Sequence, residues 1–276
     1  MKCQTLKSVS SNDRIFILHF TQQMWHMLTP AQMTPIFAEV FQLLAPAILK
    51  TYALADNAYS FSRPEPLGPS TIPPVFMAVA SRLRLPLPMI WFSAESGAMA
   101  QVHRTTPALV LGPAIDQLSA VDQKFLATRM LFQAKVEYFL ATHPSPFEER
   151  VAHLTDLFNG CIQLTKTGKF DFKDAPLIKR TLSALDTKDI LGLTQILSDV
   201  SPATQDDLAG WIRGVDMMAS RLGLMLTDDV EVAIRLTRNV SHSWSDLSAS
   251  DRLTDLLRFS VSRDYLSVCG DLSIRS

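Results

Sequence analysis

The chain has 276 residues, 47% of them hydrophobic and 19% charged, and a net charge of -1. That length suits one large domain or two small ones, and the lack of a basic surplus excludes general binding to nucleic-acid backbones. Cys3, Cys161 and Cys269 stand far apart with no C-x-x-C spacing, which excludes a disulfide scaffold and fits reduced thiols in a cytoplasmic protein.

The opening MKCQTLKSVSSNDR is followed by an apolar run that His19 and Gln22 interrupt too early for a signal peptide. Residues Asp13 to Leu28 and Pro30 to Ala53 read as two apolar helices, with Thr29-Pro30 as a cap and first-turn pair between them. Five prolines crowd the stretch from Arg63 to Pro74, a density that neither helix nor central strand tolerates, so 63–74 reads as a linker. The expected organisation is an N-terminal helical hairpin over 1–62, that linker, a body over 75–226 and C-terminal helices over 227–276.

Val75 to Leu85 reads as a helix. The next segments, Pro88 to Ser93, Ala98 to Val102 and Ala108 to Gly112, read as short strands, placed as antiparallel neighbours with a turn at Glu95-Ser96-Gly97. No stretch approaches the ~18 uninterrupted apolar residues of a membrane span. The nearest, Val75 to Ala94, is broken by Arg82, Arg84, Pro86 and Pro88. A peripheral membrane contact stays open, given a mean hydropathy of +0.13.

Ser119 to Asp122 has the form of a capping box. In the helix that follows, Val121, Phe125, Phe132, Val136 and Phe139 recur at helical spacing and should face the core, with Arg129 at the edge of that stripe. Beyond His143-Pro-Ser-Pro146 the chain reads as helical throughout: Phe147 to Thr165, Pro176 to Leu185, Thr187 to Val200, and a helix opened by Ser201-Pro202. There Thr204 and Asp207 form a second capping box, and Leu208, Trp211, Ile212, Val215, Ala219 and Leu222 mark the buried side. Asp228 and Glu231 cap a short helix through Leu236, and two further helices close the chain. The fold class is α+β, predominantly helical, with a small antiparallel sheet of short strands and a helical C-terminal half.

The order of these elements, MAVASRLRLPLP, PMIWFSAE, GAMAQVH, PALVLGPA and then QLSAVDQKFLATR, resembles the soluble domain of the HtpX/CAAX-prenyl-protease class of zinc peptidases, the gluzincins. The resemblance covers about Val75 to Leu226 and implies a zincin-like core. In that family the helix carries H-E-x-x-H; here those positions read Arg129-Met130-Leu131-Phe132-Gln133. A guanidinium stays protonated and an amide is a poor zinc ligand, so the i, i+4 pair Arg129 and Gln133 cannot replace two imidazoles. A thioether at Met130 cannot take the proton of a zinc-bound water.

The third ligand of the family, a Glu of an E-x-x-x-D pattern, aligns with Asp216, and Ser220 stands in place of the following Asp. The resemblance thereby implies a pseudo-active site of Arg129, Met130, Gln133 and Asp216, with the Arg129 guanidinium standing in for the zinc charge, paired to Asp216 and with Gln133 bonding nearby. No residue is assigned a catalytic or metal-binding role, and no cofactor is expected. In zincins the strand beside the active helix takes a peptide by β-augmentation, which makes Ala98, Met99, Ala100, Gln101, Val102 and His103 the candidate peptide-binding strand.

Other chemistry finds little support. No two of the six histidines lie three or four residues apart, and His19 and His26 are two helical turns apart. No G-x-S-x-G, Walker or G-x-G-x-x-G motif occurs, and the loop from Lys166 to Lys173 mixes charge signs. The leading expectation is a catalytically inactive pseudopeptidase that binds a protein or peptide partner. Its rivals are an active metallopeptidase with atypical ligands, completed by His103 or His143, and a purely structural domain of a larger assembly. Partner identity and oligomeric state carry no readable pattern.

Overall fold

The computed structural model describes residues 22–55, 59, 65–68, 70–170, 175–239 and 244–274. Cys3, His19, His242 and the first part of the expected N-terminal helix lie outside the described residues.

Chain entry is through α1 (Gln22–Leu28) and α2 (Pro35–Tyr52). The helix start expected at Thr29-Pro30 falls instead at the second Thr-Pro pair. Thr34 is extended and Pro35 takes the first turn, where its missing N–H costs nothing. Pro30 instead opens a turn, accepting from Met33 N–H at 2.9 Å, while the Thr29 hydroxyl donates back to Trp25 O at 2.7 Å.

The sheet is four-stranded and mixed, in the order β1 (Glu65–Pro66), β2 (Met89–Phe92), β4 (Ala108–Leu111), β3 (Met99–Val102). The expected antiparallel hairpin of the first two long strands is therefore corrected. β2 runs parallel to β4, and only β3–β4 and β1–β2 are antiparallel. The cause lies in side-chain character: all four residues of β4 are buried, and a continuous apolar run belongs where both faces are covered. The half-buried β2 and β3 flank it.

The crossing from β2 to β3 passes close to the end of β4, where Gly112 is indispensable. A Cβ there would lie 1.9 Å from Gly97 O and 2.2 Å from Ser96 O. The proline-rich stretch read as a linker supplies β1, and Leu67 N–H donates to Ile90 O at 2.8 Å. Pro66 is tolerated there because the strand is an edge.

One sheet face, with Ile90, Leu109 and Leu111, joins the helical core. The other, with Val102, Ala108 and Val110, packs with Tyr59, Trp91 and Ala100.

The helical layer consists of α3 (Pro74–Leu83), α4 (Ala120–Gln133), α5 (Phe147–Thr167), α6 (Pro176–Ser183), α7 (Thr187–Leu197), α8 (Gln205–Thr227), α9 (Val230–Arg238), α10 (Ala249–Ser260) and α11 (Arg263–Ile274). Complete capping boxes open α7, α8 and α10. At α4 only half of the expected box forms: Ser119 accepts from Asp122 N–H, while the Asp122 carboxylate takes Arg235 at 2.5 Å.

The helix ends at Gln133, and Lys135 is extended. Val136 therefore lies beyond the stripe, and both it and Val121 are exposed, whereas Phe125, Phe132 and Phe139 are buried. The predicted inner face of α8 is buried throughout, from Leu208 to Leu222. Trp211 on that face meets Phe37, Phe41 and Tyr138 at ring-centroid distances of 6.2, 5.3 and 5.8 Å. One core runs from Met24 to Cys269, and no helix among the described residues is long and apolar enough to cross a membrane.

Candidate functional site

Helices α4 and α8 pack against each other so closely that a Cβ on Gly223 would stand 2.6 Å from the Phe125 ring. One turn from each of these residues the two helices exchange polar groups. Arg129 Nη2 donates to Asp216 Oδ1 at 3.0 Å, and Nη1 donates to Ser220 Oγ. The side chains of Arg129 and Asp216 are 4% and 0% exposed, so this ion pair has almost no help from water. Burial pulls the Arg129 pKa below its ordinary value, and the Asp216 carboxylate pushes it back; a guanidinium keeps its proton under such opposing influences.

Two groups from the chain after α9 complete the surroundings of Asp216. Ser245 Oγ donates to Asp216 Oδ2 at 2.8 Å, and Arg252 Nη1 lies 3.9 Å from the same oxygen while donating to Leu247 O at 3.0 Å. The carboxylate is thus held between two buried guanidiniums and a hydroxyl.

The remaining motif positions behave differently. Met130 is half-buried and packs on the hydrophobic core. The Gln133 side chain does not bond beside the pair as expected: its amide nitrogen is buried without a hydrogen-bond partner. Ser220 fills that role because it lies one turn along α8 from Asp216, on the same face. Gln133 contributes its backbone instead, its carbonyl accepting from Gln101 Nε2 at 3.3 Å; the same nitrogen donates to Thr142 Oγ1 at 3.0 Å. That contact ties the candidate peptide strand to α4.

β3 is an edge strand. Gly112 N–H donates to Ala98 O, so the alternation of an antiparallel ladder turns the backbone groups of Ala98, Ala100 and Val102 toward β4 and those of Met99, Gln101 and His103 outward. The outward groups of His103 are taken within the chain: its N–H donates to Tyr59 Oη at 2.6 Å and its carbonyl accepts from Leu54 N–H at 2.7 Å. Of the other two, Met99 is partly exposed and Gln101 is buried, so strand addition would use Met99.

The His103 ring is buried. Its Nε2 lies 3.2 Å from Thr142 Oγ1, and it packs edge-on against Phe139, His143 and Trp244. Burial first, then the neighbouring His143 and Arg150, push its pKa down to about 3, so the ring is neutral.

These donors do not fit a zinc ion. The α4 positions offer a guanidinium and an amide, Asp216 is already committed to two arginines and a serine, and no group of three or more His, Cys, Asp or Glu among the described residues could hold a metal.

Sequence reasoning missed Thr142, Trp244, Ser245, Arg150 and Arg252. The last four reach the seam from α5, from the approach to α10 and from α10 itself, with no spacing relation to α4 that a motif could express. No family model, curated protein or solved structure matches the chain.

Proposed function

We propose that the chain is a catalytically inactive relative of zinc peptidases that acts as a protein- or peptide-binding domain. The observation that carries this reading is the buried Arg129–Asp216 pair between α4 and α8, at the positions where the resemblance would place a zinc ligand from each helix. A fixed positive charge there substitutes for the metal's structural role of holding two helices together, and it supplies neither a Lewis acid nor a polarised water. The outward backbone of Met99, a partly exposed residue on an edge strand, is the element that supports peptide capture.

A structural role is the second reading, favoured by the way Ser245 covers Asp216 and Leu54 and Tyr59 cover His103.

Elemental mass spectrometry of chelator-free protein should find no zinc. One zinc per chain, lost on His103→Ala or Asp216→Ala, would overturn the inactive reading. Peptide arrays then separate binding from structure: saturable capture that Met99→Pro abolishes supports binding, and its absence supports the structural reading.

A further inference from the structure

The segment Trp244–Leu247, leading into α10, lies across the polar seam, and successive residues engage it. Trp244 packs on His103 with ring centroids 5.7 Å apart, Ser245 donates to Asp216, and Asp246 accepts both arms of the Arg213 guanidinium at 2.7 and 2.6 Å. The first two contacts reach inward; the third is at the surface, with both side chains 37% exposed. Beside it lies an aromatic ring shared by two cations, since the guanidiniums of Arg150 and Arg213 each stand 5.7 Å from the Phe147 centroid. Arg150 is buried and spends Nε on Ser145 O at 3.1 Å and Nη1 on Ala141 O.

We propose that Arg213, Arg150 and Phe147 form a receptor for a side-chain carboxylate of an acidic partner segment, and that Asp246 fills it in cis until the partner displaces it. The inference rests on the binding reading above and names the chemistry of the partner. A bidentate arginine fork reads a planar carboxylate specifically. The same pair, half in water, contributes little to holding the fold, so one carboxylate can replace another there at little cost. Carboxylates nearby, Asp206 at Arg213 and Asp216 and Glu148 at Arg150, offset part of the positive charge, so the planar fork, not net charge, favours a carboxylate. The cis segment Trp244–Leu247 supplies the sequence of the probe peptide.

The test uses a labelled, capped Trp-Ser-Asp-Leu peptide, its Trp-Ser-Asn-Leu counterpart, the wild-type chain and Asp246→Ala, by fluorescence anisotropy at fixed ionic strength. Asp246→Ala should bind the acidic peptide at least about tenfold more tightly than wild type does, since the competitor in cis is gone. The gain should vanish in Arg213→Gln/Asp246→Ala and with the Asn peptide. Equal affinity of wild type and variant, or equal binding of the two peptides, overturns the proposal. So does competition by succinate or inorganic phosphate as strong as that by the peptide, which would make the site one for small anions.

In the wild-type chain, saturating acidic peptide should speed amide exchange over 244–247, and unchanged exchange there also counts against displacement. Zinc in the purified protein would sink the inactive-peptidase reading without touching this competition. A failed competition in zinc-free protein leaves strand addition at β3 standing.

Discussion

Asp216 serves two buried guanidiniums and Arg129 serves one carboxylate, so the two ends of this ion pair are not equivalent. Removing one partner of a buried pair typically costs about 3 to 5 kcal/mol, because the other charge stays behind without compensation. Arg129→Ala should fall in that range, and Asp216→Ala should cost more, since it strands both Arg129 and Arg252. Urea unfolding followed by circular dichroism measures the difference, and a loss well below about 1 kcal/mol for Arg129→Ala, the size of an exposed pair, would contradict the burial argument.

His103 gives a second residue-scale consequence with a defined sign. Its folded pKa is depressed to about 3, so between that value and the ordinary 6.5 the unfolded chain binds the proton and the folded chain does not. Its contribution to stability is complete above pH 6.5 and falls with pH, by about 1.4 kcal/mol per unit for one proton. His143, held low chiefly by burial, acts in the same direction. Replacing His103 by Gln should flatten the pH dependence of stability between pH 6.5 and about 5.5, where most carboxylates are still ionised; an unchanged slope would rule His103 out as its source. At this scale Arg129 and Asp216 were legible through the resemblance, which sets them at motif positions on two helices. The other partners of Asp216, Ser245 and Arg252, come from a segment with no periodic relation to α8, and nothing short of the tertiary packing brings them in.

The close approach of α4 and α8 is set by Gly223, which leaves room for the Phe125 ring. Gly223→Ala adds a methyl where both helices are already packed, and overpacking of a core costs about 1 to 3 kcal/mol. Phe125→Leu in the same chain should recover part of that loss by giving the methyl space, and strict additivity of the two changes in thermal unfolding would mean that they do not meet. Buried side and cap of α8 were both readable, because a 3.6-residue stripe and a Thr-x-x-Asp box are local signals. The sheet was readable only in part. Its strand positions follow from short apolar runs, whereas strand order follows from which run is most apolar. Ala108–Leu111 takes the interior place and forces the chain to cross from β2 to β3, a choice that hairpin spacing cannot anticipate. For α4, extrapolating one apolar period past Gln133 carried Val136 onto a helix that ends first.

Core continuity decides how the molecule behaves as a unit. Phe37 and Phe41 of α2 reach Trp211 of α8, Phe37 also packs edge-on against Phe158 of α5 with centroids 4.8 Å apart, and α2 lies against α6 and α7. The same cluster includes Tyr265, Val268 and Cys269 of α11, so both ends of the described chain share one interior. An N-terminal hairpin that merely docked on a finished body would show two cores and a polar seam between them; here the largest fully buried side chains, Trp211 and Phe41 among them, belong to helices from both parts. Removing residues 1–62 would strip α2 from that interior and expose Trp211, Phe158 and their neighbours to water. Losses of about 3 to 5 kcal/mol for each large aromatic contact removed would exceed the stability margin of a typical domain. A chain beginning at residue 63 should therefore bind a hydrophobic dye and show no cooperative thermal transition, in contrast to the full chain. If it instead unfolds in one sharp transition within a few degrees of the full chain, the body holds its core without α2 and the shared interior is not what stabilises it.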